Sequence, residues 1–232
     1  MLSWWLKFFL PFLLVLPALY AWEYRLETSG SPREKEVERL RRNGVAAVPA
    51  FTAQVFLGRP GGLLPLGGVA RSKTVLCDEA GELVSYESDR FGFRNPDALW
   101  AEEKWDVVVL GDSYAQGYCA PDGETFVDEI RRTHPKTVNL GSYGNGPLAN
   151  LASLMEYAVG PKPKHVVWVY VPNDLRIDLP LEEANEVMRG YLEGKTQGLA
   201  ARQEEIDRFL REAENGLKEE RPIRWGSLLR LK

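Results

Sequence analysis

The segment DVVVLGDS, residues 106–113, carries the clearest structural signal in this sequence of 232 residues. Its four successive apolar residues, Val107–Leu110, are typical of a strand that is buried on both faces of a parallel sheet. The polar turn Gly111-Asp112-Ser113 follows this strand directly. We therefore predict an α/β fold in which Ser113 lies at the carboxyl end of a central strand.

The same alternation of strand and helix continues along the chain. Two further strands are predicted at Thr137–Leu140 and Val166–Val171, with helices at Glu124–Arg132 and Pro147–Val159. The apolar face of the second helix is predicted to consist of Leu148, Leu151, Met155 and Ala158. Strands that alternate with helices predict a parallel sheet.

Two helical stretches, at about 181–192 and 197–219, are predicted after the third strand. The second carries an apolar stripe formed by Ile206, Phe209, Leu210, Ala213 and Leu217. Such a stripe usually packs on the protein's own core, and a dimer or coiled-coil contact is the alternative. No fourth or fifth strand follows, so we expect the sheet to be incomplete at its C-terminal end.

The region before residue 105 shows shorter patterns. Ser31-Pro32-Arg33-Glu34 is a capping box that predicts a helix up to about Asn43, ended by Gly44. The rest is predicted as an extended loop at 45–72, a hairpin of Thr74–Cys77 with Leu83–Tyr86, and a connecting loop at Ser88–Pro96.

The N-terminal segment is apolar and aromatic. Residues 8–22 contain no charge, and extension back to Trp4 gives a helix of about 28 Å, close to a hydrocarbon core of about 30 Å. We predict an uncleaved transmembrane signal anchor at 1–27, a connecting region at 28–104 and the main domain at 105–232. A cleaved signal peptide and a buried amphiphilic helix are the alternatives.

The charges around this segment bear on which side of the membrane the main domain lies. Lys7 precedes it, whereas six basic residues follow it closely: Arg25, Arg33, Lys35, Arg39, Arg41 and Arg42. The positive-inside rule would therefore place the main domain in the cytoplasm.

Composition excludes several classes of function. The 29 Lys and Arg against 33 Asp and Glu give a net charge of -4, which argues against a nucleic-acid surface. Two Cys and two His exclude a disulfide scaffold and a four-cysteine zinc site, and we expect neither a metal nor a cofactor. A flavodoxin-like nucleotide binder is an alternative, but the chain lacks a glycine-rich phosphate loop with lysine.

Three polar loops each follow one predicted strand: Gly111–Tyr114, Gly141–Pro147 and Val171–Leu175. Because the carboxyl ends of parallel strands share one edge, we expect these first, second and third loops to meet there. In an acyl-transfer site, Ser113 would be the nucleophile, with its own amide near a helix amino terminus. The backbone N–H groups of Ser113 and Gly144 and the Asn173 side-chain amide would then form the oxyanion hole.

Two acidic residues would support this arrangement. We expect Asp112 to brace the turn and Asp174 to orient the loop of Asn173. The alternatives remain that Gly-Asp-Ser is an ordinary turn, that Gly144 is only a turn glycine, and that Asn173-Asp174 caps the next helix.

These residues resemble the sequence blocks of the SGNH (GDSL-type) hydrolases. Gly111-Asp112-Ser113 is similar to the nucleophile block, Asn139-x-Gly141-x-x-Gly144 to the second block and Asn173-Asp174 to the third. The resemblance implies a three-layer α/β/α, flavodoxin-like fold. It also implies Ser113 as nucleophile, with Gly144 and Asn173 as oxyanion donors, in an ester hydrolase or acyltransferase.

A bacterial membrane-anchored subgroup of this superfamily is similar over most of the chain from about Leu40. The shared stretches are Val75–Cys77, Tyr86-x-Ser88-Asp89, Gly92-Phe93-x-Asn95-Pro96, Gly117–Cys119, Gly146–Leu148 and Gln203-x-x-Ile206-Asp207. This likeness implies that the domain is exported, on the periplasmic or extracellular side. It also favours a disulfide between Cys77 and Cys119, with two unpaired thiols as the alternative.

The sequence departs from the family pattern at two points. Val171-Pro172 replaces the usual pair before the third-block asparagine, and no Asp-x-x-His occurs anywhere. His134 and His165 are predicted at the amino edge of the sheet, roughly 15–20 Å from Ser113, and are expected to be surface residues.

We therefore expect an SGNH-type ester hydrolase or acyltransferase that is incomplete as given. Its substrate would be an acylated envelope polysaccharide or a small ester. The alternative is a non-catalytic SGNH-like module that binds a glycan or partner at the cell envelope.

Overall fold

The computed structural model describes mixed α/β structure with two small sheets. The described residues are 15–22, 31–58, 62–77, 83–158, 160 and 163–219, with the backbone alone at 217–219. The first sheet precedes residue 90, and the second, all-parallel sheet lies within the predicted main domain.

The elements before residue 105 are short. They are helices α1 (residues 15–22) and α2 (Pro32–Arg42), strands β1 (Ala47–Pro49), β2 (Lys73–Cys77) and β3 (Val84–Glu87), and 3-10 turns at Ala53–Phe56 and Asp97–Ala101. Helix α2 begins with the predicted capping box of Ser31 and Glu34 and ends at Asn43. The predicted helix and its N-terminal cap are therefore confirmed.

The elements after residue 105 follow the predicted alternation. They are β4 (Val107–Leu110), α3 (Ser113–Gln116), α4 (Phe126–Thr133), β5 (Thr137–Asn139), α5 (Pro147–Tyr157), β6 (His165–Trp168), a π-helical turn (Asp174–Asp178), α6 (Leu179–Glu183), α7 (Glu186–Leu192), a 3-10 turn (Leu199–Ala201) and α8 (Gln203–Glu219). The three predicted strands of the parallel sheet are confirmed, although β6 ends three residues earlier than expected.

The parallel sheet has the order β5-β4-β6, with β4 in the centre. Val108 and Leu110 on one face of β4 join the large core that includes residues of α5 and α8. Val107 and Val109 on the other face pack with Val127 of α4. Apolar contacts on both faces explain why a continuous valine run forms the central strand.

The predicted apolar face of α5 is confirmed in part. Leu148 is buried, and the partly buried Met155 and Ala158 pack against the same core. Leu151 is only partly buried, whereas the polar Ser153 and Glu156 are buried. Helix α5 contacts β4, α6 and α7, so it is covered on several sides and polar residues must find partners inside. The Glu156 carboxylate accepts hydrogen bonds from the Tyr191 hydroxyl (2.6 Å) and from the Leu199 N–H (2.7 Å).

Two other sequence predictions differ from the structure. The stretch 45–72 is more than an extended loop, because it contains β1, which pairs in parallel with β2, and a 3-10 turn. The single helix predicted at 181–192 is two helices, α6 and α7, because the Asn185 side chain caps the N–H of Met188 and starts a new helix. The hairpin of β2 and β3 is confirmed, and its turn at 78–82 lies outside the described residues.

The region before the parallel sheet shares its core. Val48, Phe56 and Phe93 pack in the same apolar cluster as Val108 and Leu110 of β4. The stripe of α8 packs there as well, as predicted, through Ile206, Phe209, Leu210 and Ala213. Residues far apart in sequence therefore share one apolar core.

The predicted membrane anchor lies mostly outside the described residues. Residues 15–22 form α1, and their side chains are exposed. Across the described part of the chain, no helix combines the length and the apolar character needed to cross a membrane.

Strand β6 forms one edge of the parallel sheet. Val166, Val167 and Trp168 are 47%, 39% and 45% exposed, and further apolar side chains that follow β6 are also exposed: Tyr170, Leu175, Ile177 and Leu181. Within the described structure β6 pairs with β4 alone. An apolar strand with this exposure is unusual in a parallel sheet, whose strands are normally covered on both faces.

Candidate active site

Ser113 lies at the sharp turn between β4 and α3. The preceding residue, Asp112, is the N-cap of α3, and its carboxylate accepts the Tyr114 N–H at 2.9 Å. Asp112 therefore braces the turn as predicted. Helix α3 has only four residues, so the expected contribution of a helix dipole at Ser113 is small.

The second loop packs against the first at the same edge of the sheet. The Ser142 N–H donates to the Gly111 carbonyl (3.2 Å), and the Tyr143 N–H donates to the Gln116 side-chain oxygen (3.0 Å). Ser113 and Gly144 consequently line one cavity of about 420 Å³, together with Tyr114, Tyr118 and Tyr143. The predicted meeting of these two loops is confirmed.

Gly144 adopts a backbone conformation that favours glycine, with φ +75°. A β-carbon at this position would lie 2.7 Å from the Thr52 hydroxyl and 3.0 Å from the Gln54 side chain. The position therefore requires glycine for packing against the 3-10 turn of residues 53–56, whether or not its N–H binds a substrate.

Asn173 lies on the third loop but does not reach the cavity. Its side chain is exposed and is not among the described residues that line the cavity with Ser113 and Gly144. Its Nδ2 donates to Asp178 Oδ2 at 2.7 Å. The other oxygen of Asp178 accepts Gln54 Nε2 at 2.6 Å, so Asn173 and Gly144 are connected through Asp178 and Gln54.

Asp174 has the bracing position that the sequence predicted. Its carboxylate is buried and accepts the Val171 N–H at 3.1 Å, which closes the third loop around Pro172. Burial raises the pKa of Asp174, and the neighbouring carboxylates of Asp112 and Asp178 raise it further. Burial and Asp178 likewise raise the pKa of Asp112, so carboxylates from the first and third loops face one another.

Glu182 holds the end of the second loop in place through hydrogen bonds to its backbone. Its buried carboxylate accepts the N–H groups of Gly146 (2.8 Å), Leu148 (2.8 Å) and Ala149 (3.3 Å) at the start of α5. Burial raises the pKa of Glu182 to about 7, although these three N–H groups oppose the shift. No local pattern in the sequence points to Glu182, because it lies 36 residues from Gly146 and in a different helix.

Both histidines lie away from this edge. His134 and His165 are exposed, and both are near Asp106, at the opposite end of β4 from Ser113. Their predicted position at the amino edge is confirmed. The 232-residue sequence contains no other histidine, so no imidazole of this chain lies beside Ser113.

Cys77 and Cys119 form a disulfide, with their α-carbons 5.4 Å apart. The bond joins β2 to the segment that follows α3, next to Tyr118 of the cavity. The pairing that the family resemblance favoured is therefore confirmed, and the described part of the chain contains no free cysteine.

Chemically, the cavity presents a serine hydroxyl beside a carboxylate, a glycine N–H and three phenol rings. Such a set can attack and hold an acyl carbonyl, but it lacks an imidazole base. Comparison with known proteins adds no assignment: no family model, no curated protein and no solved structure matches the chain.

Proposed function

We propose that the chain is an SGNH-type serine ester hydrolase or acyltransferase that acts on an acylated glycan or small ester of the bacterial envelope. One observation carries the proposal: Ser113 and Gly144, from two loops 31 residues apart, line the same cavity at the carboxyl edge of the parallel sheet. Ligands bind at this edge in open parallel sheets.

In the proposed reaction, Ser113 Oγ attacks the acyl carbonyl carbon, and its proton passes to a water molecule because no imidazole of this chain lies beside Ser113. The carbonyl oxygen becomes an oxyanion that accepts the Gly144 N–H, and the C–O bond to the sugar hydroxyl then breaks as that oxygen takes up a proton. Water or an acceptor hydroxyl resolves the acyl-serine. We also propose Asn173 as a second oxyanion donor. Its amide keeps one N–H beyond its bond to Asp178, and its side chain, which lies outside the cavity in this structure, would have to turn toward Ser113 during the reaction.

We extend this proposal to the fold of the chain. We assign a three-layer α/β/α, flavodoxin-like SGNH fold in which β6 is an open edge of the sheet. The exposure of Val166, Val167 and Trp168 supports an open edge, because the strands of a parallel sheet are otherwise buried.

We also propose an exported, membrane-anchored domain, with residues 1–27 as the anchor. The Cys77–Cys119 disulfide supports export, since such bonds persist in the periplasm and outside the cell. It favours the exported orientation over the one that charge counting predicts.

The experiment is acylation of the purified 232-residue chain. Turnover of p-nitrophenyl acetate and labelling by a fluorophosphonate should both occur and should both be lost in Ser113→Ala. Ser85→Ala is the matched control, because Ser85 is also partly buried but lies on β3. Unchanged turnover in Ser113→Ala would exclude Ser113 as the nucleophile.

A second candidate function is a non-catalytic SGNH-like module that binds a glycan. The observation in its favour is the position of both histidines at the opposite edge, which leaves Ser113 without an imidazole base. Measurable glycan binding together with no fluorophosphonate labelling would support this function and exclude the enzyme.

A further inference from the structure

The cavity beside Ser113 is lined mainly by aromatic rings. Tyr114 is 67% exposed, and the rings of Tyr118 and Tyr143 lie 5.8 Å apart, tilted by 42°. Phenol rings combine a flat apolar face with a polar edge, which suits a sugar ring, with its C–H faces and peripheral hydroxyls. The lining of the cavity therefore favours a carbohydrate over a long acyl chain.

A guanidinium group lies at the hydroxyl ends of two of these rings. Arg33 donates to the Tyr118 hydroxyl at 3.2 Å. Burial raises the pKa of Tyr143, and the nearby Arg33 charge opposes that rise. Tyr143 donates its hydroxyl hydrogen to the Ala50 carbonyl at 2.9 Å, so its ring is held in place. Helix α2 thus brings a fixed positive charge to the tyrosine side of the cavity.

Arg33 differs from the other arginines of the described structure. Each other described arginine that is at least partly buried forms an ion pair with a carboxylate: Arg41, Arg90, Arg94, Arg131 and Arg202. Arg33 is also partly buried, yet its partners among the described residues are phenols rather than carboxylates. A partly desolvated guanidinium without an anion retains the capacity to bind one.

Negative charges near the third loop determine which way an anionic ligand would be oriented in the cavity. Burial raises the pKa of Asp174, and the negative charges of the nearby Asp112 and Asp178 raise it further. An anionic group would be repelled from that side and attracted to Arg33. We propose that Arg33, with Tyr118 and Tyr143, forms a subsite for a carboxylate-bearing sugar, so that the substrate is an acylated acidic glycan; this inference rests on the proposed function.

Binding can be measured apart from catalysis. The Ser113→Ala chain would be titrated calorimetrically with an O-acetylated oligouronate and with the same oligomer after reduction of its carboxyl groups to alcohols. We expect the acidic oligomer to bind at least tenfold more tightly. Arg33→Gln should lower this preference about tenfold, and Arg33→Lys should lower it less, because lysine keeps the charge but not the planar fork.

Arg42→Gln is the control, since Arg42 lies exposed at the other end of α2. A second measurement requires no substitution at Arg33. Higher salt should weaken binding of the acidic oligomer and leave the affinity for the neutral oligomer nearly unchanged. Equal affinity for the two oligomers, or no binding of either, would overturn the subsite. Fluorophosphonate labelling of wild-type Ser113 tests the proposed function independently, so the two failures are distinguishable.

Discussion

Gln54 donates a hydrogen bond of 2.6 Å to Asp178, and this bond joins the 3-10 turn before the parallel sheet to the loop that follows β6. Asp178 holds the Asn173 amide with its other oxygen, and the Gln54 side chain packs directly beside Gly144. The two proposed oxyanion donors are therefore positioned by one glutamine and one aspartate.

Asp178→Ala and Gln54→Ala should each slow acylation of Ser113 by roughly ten- to a hundredfold, because a small displacement of a reacting group has an effect of that size. The measurement is the rate of fluorophosphonate labelling, with thermal unfolding as a check on folding. The effect should appear in the labelling rate rather than in the affinity for substrate.

Gln203→Ala is the control for Gln54→Ala. Gln203 is also partly buried and donates to an aspartate, Asp207, at 2.8 Å, but it lies on α8. Its substitution should leave labelling unchanged. If Gln54→Ala and Gln203→Ala behave alike, the bond between Gln54 and Asp178 has no part in positioning the site.

The parts of the fold that could be predicted are those specified by nearby residues. The valine run of β4 is buried on both faces, and the capping box at Ser31 starts α2, because each pattern contains its own structural cause. Strand β1 contains only three residues, one of which is a proline. It forms because β2 supplies its hydrogen bonds. No local pattern of residues 45–72 contains that information.

Some features of the candidate site could likewise be predicted from the sequence, and others depend on tertiary packing. Strand order placed Ser113 and Gly144 at one edge, and the cavity confirms that they meet. The orientation of Asn173 depends on Asp178, and the shape of the second loop depends on Glu182. These carboxylates lie on elements whose packing is a tertiary property, so sequence spacing alone did not identify them.

Glu182 should make stability depend on pH. Its pKa is about 7 in the folded chain against an ordinary value of 4.5, so the folded state binds more protons between these values. The free energy of unfolding should therefore fall as pH rises from about 4.5 to about 7. A difference of about 2.5 between the folded and unfolded pKa of Glu182 corresponds to roughly 3 kcal/mol of unfolding free energy. Asp89, whose burial raises its pKa to about 6, acts in the same direction.

Thermal unfolding from pH 4.5 to 8 would test this in wild type and in Glu182→Gln. The substitution should flatten the pH dependence, since glutamine does not titrate. Glu183→Gln is the control, because Glu183 is adjacent and exposed. Equal pH dependence in wild type and Glu182→Gln would show that folding does not raise the pKa of Glu182.

The disulfide should contribute measurably to stability. It closes a loop with a sequence separation of 42 residues, and a loop of this size predicts a loss of about 2–4 kcal/mol on reduction. Denaturant unfolding of the oxidised and reduced chains would measure the difference. Cys77→Ser with Cys119→Ser should match the reduced chain, and a double variant as stable as the oxidised wild type would contradict the prediction.

The orientation of the chain can be tested with reporters fused after Lys232. Alkaline phosphatase should be active and green fluorescent protein dark, because the disulfide favours an oxidising compartment. The basic residues that follow the apolar segment predict the opposite pair of signals. Fluorescence with inactive phosphatase would therefore place the domain in the cytoplasm and contradict its proposed export.

The open edge of β6 should be visible in amide exchange. The His165 and Val169 N–H groups donate to carbonyls of Asp106 and Leu110, so strand geometry points the intervening Val166 and Trp168 N–H groups away from β4. We expect these two amides to exchange roughly a hundredfold faster, or more, than those of the central strand. Residue-resolved hydrogen exchange by NMR would measure the contrast, with Val108 of β4 as the internal reference. Protection of Val166 and Trp168 equal to that of Val108 would show that further polypeptide pairs with this edge in solution.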